Sequence, residues 1–319
     1  MKKNLWRLPL LDRYIKLLKN GEVVAFPTET VYGLGADAWN PDAVKKVFEI
    51  KGRPADNPLI VHISNLHMVQ DFAKEIPEDA KKLMKAFWPG ALTLIFKKKS
   101  NVPDIITGGL STVALRWPSH PISQQLISLA GPLVAPSANT SGKPSPTRPE
   151  HVFEDFGDDF PVIKGGKTQI GLESTVLDVS ESPFTIYRPG AIGKDEIESV
   201  IDIEVLESIR SENQTTKSPG TKYTHYAPNA SVRWLQENEK LDLQNVFYLI
   251  HSSNFESKGE NIINYSGNYE TMAKELYVRF RQADHENFDE IVIEPFSEQL
   301  LSKQPIVKAL LNRIQKAIH

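Results

Sequence analysis

The stretch EVVAFPTETVYGLG, residues 22–35, changes character in its middle. Val23 to Phe26 are apolar and have the composition of a buried strand. A proline, two threonines, a glutamate, a tyrosine and two glycines follow at once. Ligands of α/β proteins usually bind where strands end, so this combination predicts a binding site at the end of the first strand.

Short apolar runs of the same kind recur along the chain and alternate with helical patterns. The helices include an amphipathic segment in MKKNLWRLPLLDRYIKLL, one capped by Asn40-Pro41, one in PEDAKKLMKAFWPG, and one opening at Thr147-Arg148-Pro149-Glu150 with capping-box spacing. The predicted strands are EVVAF, NPLIVHI, ALTLIF, STVALRW, PLVAPS, STVLDVS and FTIYRP. This alternation predicts an α/β domain with a twisted, partly parallel, mixed sheet.

The pattern fades after IEVL at 203–206, and a polar segment with little apolar periodicity follows. We therefore predict one domain over 1–205, a linker over 206–229 and a smaller α/β domain over 230–319. The small domain has predicted strands in SVRWL, VFYLIH and DEIVIEP, a helix across TMAKELYVRFRQ and a final helix ending at Ile318. Its sequence is compatible with bracing the linker, docking a partner protein or self-association.

Composition narrows the class of protein. The 319 residues contain no cysteine, which excludes disulfides, thiolate catalysis and cysteine zinc sites. No apolar run is long enough to cross a bilayer, so we expect a cytoplasmic protein with no membrane partner. The net charge is −3, yet residues 1–150 carry 20 Lys and Arg against 13 Asp and Glu. The basic front half favours anionic ligands.

Two nucleotide-binding motifs match only loosely. GLGADA at 33–38 fits the dinucleotide fingerprint G-x-G-x-x-A, but PTETVY separates it from the strand and the next helix starts too late. Lys164-Gly165-Gly166-Lys167-Thr168 ends like a P-loop, but Pro161 stands where the leading glycine belongs. An NAD-type enzyme therefore stays a minor alternative, which saturation by ATP but not by NAD would remove.

Dispersed polar stretches at predicted strand ends give a stronger signal. Arginine and lysine there suit phosphate or carboxylate, and the serine and threonine loops add hydroxyl and N–H donors. Each stretch also has an ordinary structural explanation, such as a turn for PSANTSGKPSPT or a core histidine for His62. The cationic residues concerned are Lys51, Arg53, Arg116, Lys143 and Arg188.

Taken together, FPTETVYGLG, KGRPADNPLIVHI, FWPGALTLIF, ALRWP and APSANTSGKPSPT closely resemble the signature segments of the YrdC family of threonylcarbamoyl-AMP synthases. SPGTKYTHYAP at 218–228 resembles the hallmark of its longer, two-domain branch. This likeness implies that 1–205 form a YrdC-like catalytic domain and that 230–319 form a small Rossmann-like domain. The resemblance implies an ATP-dependent nucleotidyltransferase that joins L-threonine, bicarbonate or CO2 and ATP into threonylcarbamoyladenylate and pyrophosphate. That product feeds the modification of the adenosine beside the tRNA anticodon.

The resemblance also assigns residues. Lys51, Arg53 and Arg116 would be catalytic, with Arg116 the partner of the threonine carboxylate. Threonine and its carbamate would contact Thr30, Tyr32, His62, Arg116, Ser137 and Ser174. ATP, with Mg²⁺, would contact Lys51, Arg53, Asn57, Thr112, Asn139, Thr147 and Arg188. Tyr223, His225 and Tyr226 of the linker would form a lid over the site.

The resemblance further implies a downstream threonylcarbamoyl transferase as partner. A different class of function, a non-catalytic RNA-binding module, remains compatible with the basic front half. Such binding would be strongly salt-dependent and indifferent to threonine and ATP. The absence of an RNA-recognition signature and the negative overall charge argue against it as the main activity, and they are compatible with weak RNA or tRNA binding.

Overall fold

The computed structural model describes residues 11–208, 226–241, 244–253, 255 and 259–318. Within them the strands form two sheets, and helices pack against both. The strands are β1 Val24–Phe26, β2 Gly33–Asp37, β3 Ile60–His62, β4 Leu92–Lys97, β5 Thr112–Arg116, β6 Leu133–Val134, β7 Thr175–Asp178, β8 Thr185–Arg188, β9 Leu206–Glu207, β10 Ser231–Trp234, β11 Val246–Ile250, β12 Ile262–Asn264 and β13 Glu290–Ile293. The helices are α1 Leu11–Lys19, α2 Pro41–Lys51, α3 Val69–Phe72, α4 Glu78–Phe87, α5 Asp104–Thr107, α6 Pro121–Ala130, α7 Pro149–Phe156, α8 Lys194–Ile201, α9 Tyr269–His285, α10 Glu298–Lys303 and α11 Pro305–Ala317.

The larger sheet has the order β1-β2-β6-β3-β5-β4-β7-β8-β9. Its ladders are mixed, with β3–β5, β4–β7 and β8–β9 parallel and the remaining pairs antiparallel. The predicted α/β class with a mixed sheet is therefore confirmed. All seven apolar runs predicted as strands contain one.

The GLGAD segment forms strand β2, which the sequence analysis did not predict. Glycine is required here by close packing: a Cβ on Gly35 would lie 2.7 Å from Phe26, and one on Gly33 would lie 3.2 Å from the Cβ of Ala135. These glycines let β2 lie close to Phe26 of β1, with which it pairs in an antiparallel ladder, Ala25 opposite Leu34. The motif that resembles a dinucleotide fingerprint is thus a strand and opens no helix.

The helices begin largely as their caps predict. The Asn40 side chain accepts hydrogen bonds from the N–H groups of Asp42 and Ala43 and caps α2. Helix α7 exists, but the predicted capping box at Thr147 is wrong. Pro149 occupies the first helical turn, so the cap position shifts to Arg148, which makes no side-chain capping bond.

The smaller sheet has the order β10-β13-β11-β12, and all its pairs are parallel. Helices α9 and α11 cover it with buried apolar residues such as Leu276, Phe280 and Leu310. Burial of each such side chain contributes about 1.5–3 kcal/mol. Strand β12 was not predicted, and β9 lies at the start of the segment predicted as a linker. Among the described residues, no helix could span a membrane.

The topology brings several strand ends to one edge of the larger sheet. His62, the last residue of β3, is in register with Arg116, the last residue of β5. Strand β4 is antiparallel to β5 and parallel to β7, so both begin at this edge. Strand β8 is antiparallel to β7 and ends there with Arg188. The candidate site is built on this edge.

Candidate active site

A cleft lies along this edge and encloses ≈ 740 Å³, including its open mouth. Cationic and hydroxyl side chains dominate it. Of the residues predicted for the site, the cleft brings together Thr30, Lys51, Arg53, His62, Arg116, Ser137, Asn139, Ser174, Arg188 and Tyr226.

Arg116 is buried at the end of β5 and contacts the stretch that follows the first strand. Its Nη1 donates to Thr30 Oγ1 at 2.8 Å, and its Nε donates to the Gly90 carbonyl at 3.3 Å. Its Nη2 lies 2.7 Å from Glu29 Oε1. That approach lacks hydrogen-bond geometry, and both Glu29 carboxylate oxygens have no hydrogen-bond partner among the described residues. Hydrogens on both Nη atoms therefore remain for another carboxylate.

His62 lies beside Arg116 and is 3% exposed. Burial, and next the positive charge of Arg116, lower the pKa of His62 to about 3. The imidazole is therefore neutral at physiological pH. It offers a neutral donor or acceptor to a ligand rather than a charge.

Ser174 and Arg188 form a second polar group of the cleft. Ser174 directly precedes β7, and Arg188 is the last residue of β8. The Arg188 Nε donates to the Ser174 carbonyl at 3.0 Å, and its Nη2 donates to Ser174 Oγ at 3.2 Å. The same hydroxyl lies 2.7 Å from Thr93 Oγ1. The serine hydroxyl is thus fixed beside a buried guanidinium.

Lys51 organises the loop of PSANTSGKPSPT. Its Nζ donates to the carbonyls of Ser137 at 2.6 Å and Asn139 at 2.5 Å. The Asn139 side chain donates to the carbonyls of Thr140 and Lys143 and closes the turn. Burial, and next the nearby charge of Arg53, hold the pKa of Lys51 well below its usual value. The stretch is a shaped wall of the cleft and not an ordinary solvated turn.

Three residues predicted to contact ATP bury polar atoms that have no hydrogen-bond partner among the described residues. These atoms are both side-chain amide atoms of Asn57, Asn139 Oδ1 and Thr147 Oγ1. Buried polar atoms are rarely left without a partner, because each costs about 1–3 kcal/mol. Of the three, Asn139 lines the cleft, whereas Asn57 and Thr147 lie outside its lining, and their contacts with ATP stay predictions.

Other predicted residues lie outside the cleft lining. Tyr32 is buried, donates to the Gly166 carbonyl at 2.8 Å and accepts from the Gly165 N–H at 3.0 Å. Thr112 begins β5, roughly 13 Å along the strand from Arg116. Of the predicted lid, Tyr226 lines the cleft, whereas Tyr223 and His225 fall outside the described residues. The ligand contacts assigned to all these residues stay predictions.

The sequence analysis missed two partnerships. It did not pair Glu29 with Arg116, which lie in the first and the fourth of the five signature segments. It also missed the contact between Glu173 and Arg313, whose Nε lies 2.9 Å from Glu173 Oε2. No sequence signal distinguishes Arg313 from any other arginine of an amphipathic helix.

Comparison with known proteins finds family models and relatives that match this chain over most of its length. A family model described as telomere recombination matches residues 16–190, and one described as the C-terminal domain of threonylcarbamoyl-AMP synthase matches residues 192–318. The threonylcarbamoyl-AMP synthase of Pyrococcus abyssi is 44% identical over 98% of this chain and 94% of its own length. That of Bacillus subtilis is 43% identical over 97% and 93%.

A solved structure gives the same result in three dimensions. The crystal structure of P. abyssi Sua5 complexed with L-threonine superposes with a TM-score of 0.84 at 42% identity, covering 96% of this chain and 93% of that one. The chain therefore belongs to the Sua5/YrdC family of threonylcarbamoyl-AMP synthases.

Proposed function

We propose that this protein condenses L-threonine, bicarbonate or CO2 and ATP into L-threonylcarbamoyladenylate and pyrophosphate. The observation that carries the proposal is Arg116, a buried guanidinium whose ion pair with Glu29 leaves N–H groups for a carboxylate ligand. The relative of known structure was solved with L-threonine, which has such a carboxylate.

In the proposed reaction, the threonine amine attacks CO2, and a proton leaves the nitrogen as the carbamate forms. A carbamate oxygen then attacks the α-phosphorus of ATP, a new P–O bond forms, and the bond to the departing pyrophosphate breaks. Thr30, His62, Ser137 and Ser174 line the cleft around Arg116 and would position the amino acid. Catalysis of this kind depends mainly on positioning and on stabilising developing charge.

The remaining cations of the cleft suit the nucleotide. Arg53 and Arg188 would contact the phosphates, and Lys51 would hold the loop of Ser137 and Asn139 beside them. Asn139 lines the cleft, and ATP would complete the hydrogen bonds of its Oδ1. Tyr226, which lines the cleft, would help exclude water from the hydrolysable adenylate.

Mg²⁺ would enter bound to the triphosphate. The described residues contain no cluster of three metal-ligating side chains. The carboxylates near the cleft, Glu29 and Glu173, already face Arg116 and Arg313. This donor set fits an ion held chiefly by phosphate oxygens, where it would neutralise charge on the pyrophosphate.

The test is pyrophosphate release from ATP by the purified chain with Mg²⁺, omitting threonine and bicarbonate in turn. We expect release that needs both, with serine a poor substitute for threonine. Release without threonine would indicate an uncoupled ATPase and overturn the proposal. An inert protein that binds RNA in a salt-sensitive manner would favour the RNA-binding alternative.

The proposed product is a reactive mixed anhydride, so its use requires a transferase that accepts the threonylcarbamoyl group. We propose the adenosine next to the tRNA anticodon as the eventual acceptor and a separate threonylcarbamoyl transferase complex as the partner. Weak direct binding of tRNA stays a prediction. A coupled assay with tRNA and a transferase, measuring incorporation of labelled threonine, would test this step.

A further inference from the structure

Arg313 belongs to the last helix, α11, of the smaller domain, yet its guanidinium lies against the wall of the candidate site. It is fully buried. Its Nε donates to Glu173 Oε2 at 2.9 Å, and its Nη2 donates to the Glu173 carbonyl at 3.2 Å. Its Nη1 donates to the Pro189 carbonyl at 2.7 Å. One side chain thus binds two separate loops of the larger domain.

Those two loops carry site residues. Glu173 directly precedes Ser174, and Pro189 directly follows Arg188. Ser174 and Arg188 also bind each other, through bonds of 3.0 and 3.2 Å. A shift of either loop would therefore change the distance between the serine hydroxyl and the guanidinium inside the cleft.

The Glu173 carboxylate is a fixed anion in this arrangement. Ser145 Oγ donates to it at 2.6 Å, and the Tyr277 hydroxyl donates at 3.1 Å. Burial would raise the pKa of Glu173, but Arg313, Arg188 and the Ser145 hydrogen bond together lower it to about 2. The Arg313 guanidinium carbon also lies 5.8 Å from the centre of the Tyr226 ring. Arg313 therefore contacts three elements that border the cleft.

We propose that Arg313 is a positioning residue of the active site: it sets the spacing of the loops that carry Ser174 and Arg188. This inference rests on the proposed function for its catalytic readout. The planar guanidinium can bind a carboxylate and two carbonyls in fixed directions, which neither lysine nor a neutral side chain reproduces. The smaller domain thereby supplies part of the catalytic geometry without touching substrate.

The experiment compares Arg313→Met, Arg313→Lys and the double variant Arg313→Met/Glu173→Gln in the full-length chain. Threonine-dependent pyrophosphate release and melting temperature are measured for each. We expect Arg313→Met to lower kcat by about tenfold or more and to raise the KM for threonine, because a small misplacement of positioned groups is costly. Arg313→Lys should recover only part of the activity.

The double variant Arg313→Met/Glu173→Gln distinguishes positioning of the two loops from neutralisation of the Glu173 charge. It removes the unpaired buried carboxylate, so its melting temperature should rise towards that of the wild type while kcat stays low. Lys308→Ala is the matched control. It removes another ion pair between the two domains, Lys308 with Glu207 at 2.9 Å, which is partly exposed and lies outside the cleft. It should leave kcat within about twofold of the wild type.

A wild-type kcat in Arg313→Met would overturn the proposal. A wild-type kcat in the double variant would also overturn it, because it would show that Arg313 only neutralises Glu173. If the wild-type chain releases no pyrophosphate, the proposed function fails separately. Calorimetric titration of L-threonine and of ATP then decides on Arg313. Weaker binding of either ligand to the folded Arg313→Met protein would support the positioning role, and unchanged affinities for both would exclude it.

Discussion

Two buried arginine–glutamate pairs border the cleft, and they differ in how completely they are bonded. Arg313 and Glu173 make a full network, in which Ser145 and Tyr277 also donate to the carboxylate. Arg116 and Glu29 approach to 2.7 Å without hydrogen-bond geometry. A buried pair stabilises a fold only when its remaining polar atoms are bonded. The first pair therefore holds its loops in fixed positions, and the second leaves N–H groups without a partner among the described residues.

The largest effect should come from the incompletely bonded pair. We expect Arg116→Ala to lower threonine-dependent pyrophosphate release by about a thousandfold, or about 4 kcal/mol, because the substrate carboxylate loses its charged partner. The double variant Arg116→Ala/Glu29→Gln controls for the unpaired Glu29, and circular dichroism checks the fold. Normal turnover by a folded variant would remove Arg116 from its assigned role.

The next effect concerns the stability of the bonded pair. The folded-state pKa of Glu173 is about 2, against an ordinary value of 4.5. Its ionised form thus contributes about 3 kcal/mol of stability above pH 4.5, which is lost as the pH falls towards 2. Urea unfolding of wild type and Glu173→Gln should differ by about this amount at pH 7. The difference should shrink below pH 4.5. A difference that does not change with pH would contradict this account.

This contrast also shows what a sequence can predict. Apolar runs and helix caps are local, so seven strands of the larger sheet and helices such as α2 and α9 were found from the sequence alone. Strand β2 was missed because its two glycines are typical of a turn. They are explained only by the packing of Phe26 and Ala135, and the latter is distant in sequence.

The residues of the candidate site also divide into those that local sequence patterns predict and those that they do not. Strand-end residues such as His62 and Arg116 were predicted because strand ends of an α/β sheet meet at one edge, and the resemblance assigned their roles. The contact between Glu173 and Arg313 joins residues 140 positions apart. It depends on how the two domains pack, which no local pattern encodes.

A smaller effect is expected from Tyr277→Phe. This change removes one donor to Glu173 and leaves Arg313 and Ser145 in place. The protein should lose about 1–2 kcal/mol of stability and retain most of its activity. Tyr265→Phe is a matched control, since its hydroxyl donates to Glu275 at 3.4 Å within the smaller domain. A loss of activity as large as that of Arg313→Met would show that Tyr277 is a positioning residue as well.

The smallest effect should be on the pH dependence of the reaction rate when His62, beside Arg116, is replaced. Burial, and next Arg116, keep the pKa of His62 near 3, so its imidazole stays neutral from pH 5 to 8. His62→Gln should therefore leave the shape of the pH–rate profile unchanged in this range, whatever it does to the KM for threonine. Disappearance of a titration between pH 5 and 8 in this variant would show that His62 ionises there.

The most direct test is a crystal structure of this protein with L-threonine and a non-hydrolysable ATP analogue. We expect the threonine carboxylate to lie about 2.7–2.9 Å from the Arg116 Nη atoms, beside Thr30 and His62. The pair of Arg313 with Glu173 should be unchanged. A threonine carboxylate bound by Lys51 or Arg188, with Arg116 still facing only Glu29, would contradict the central claim.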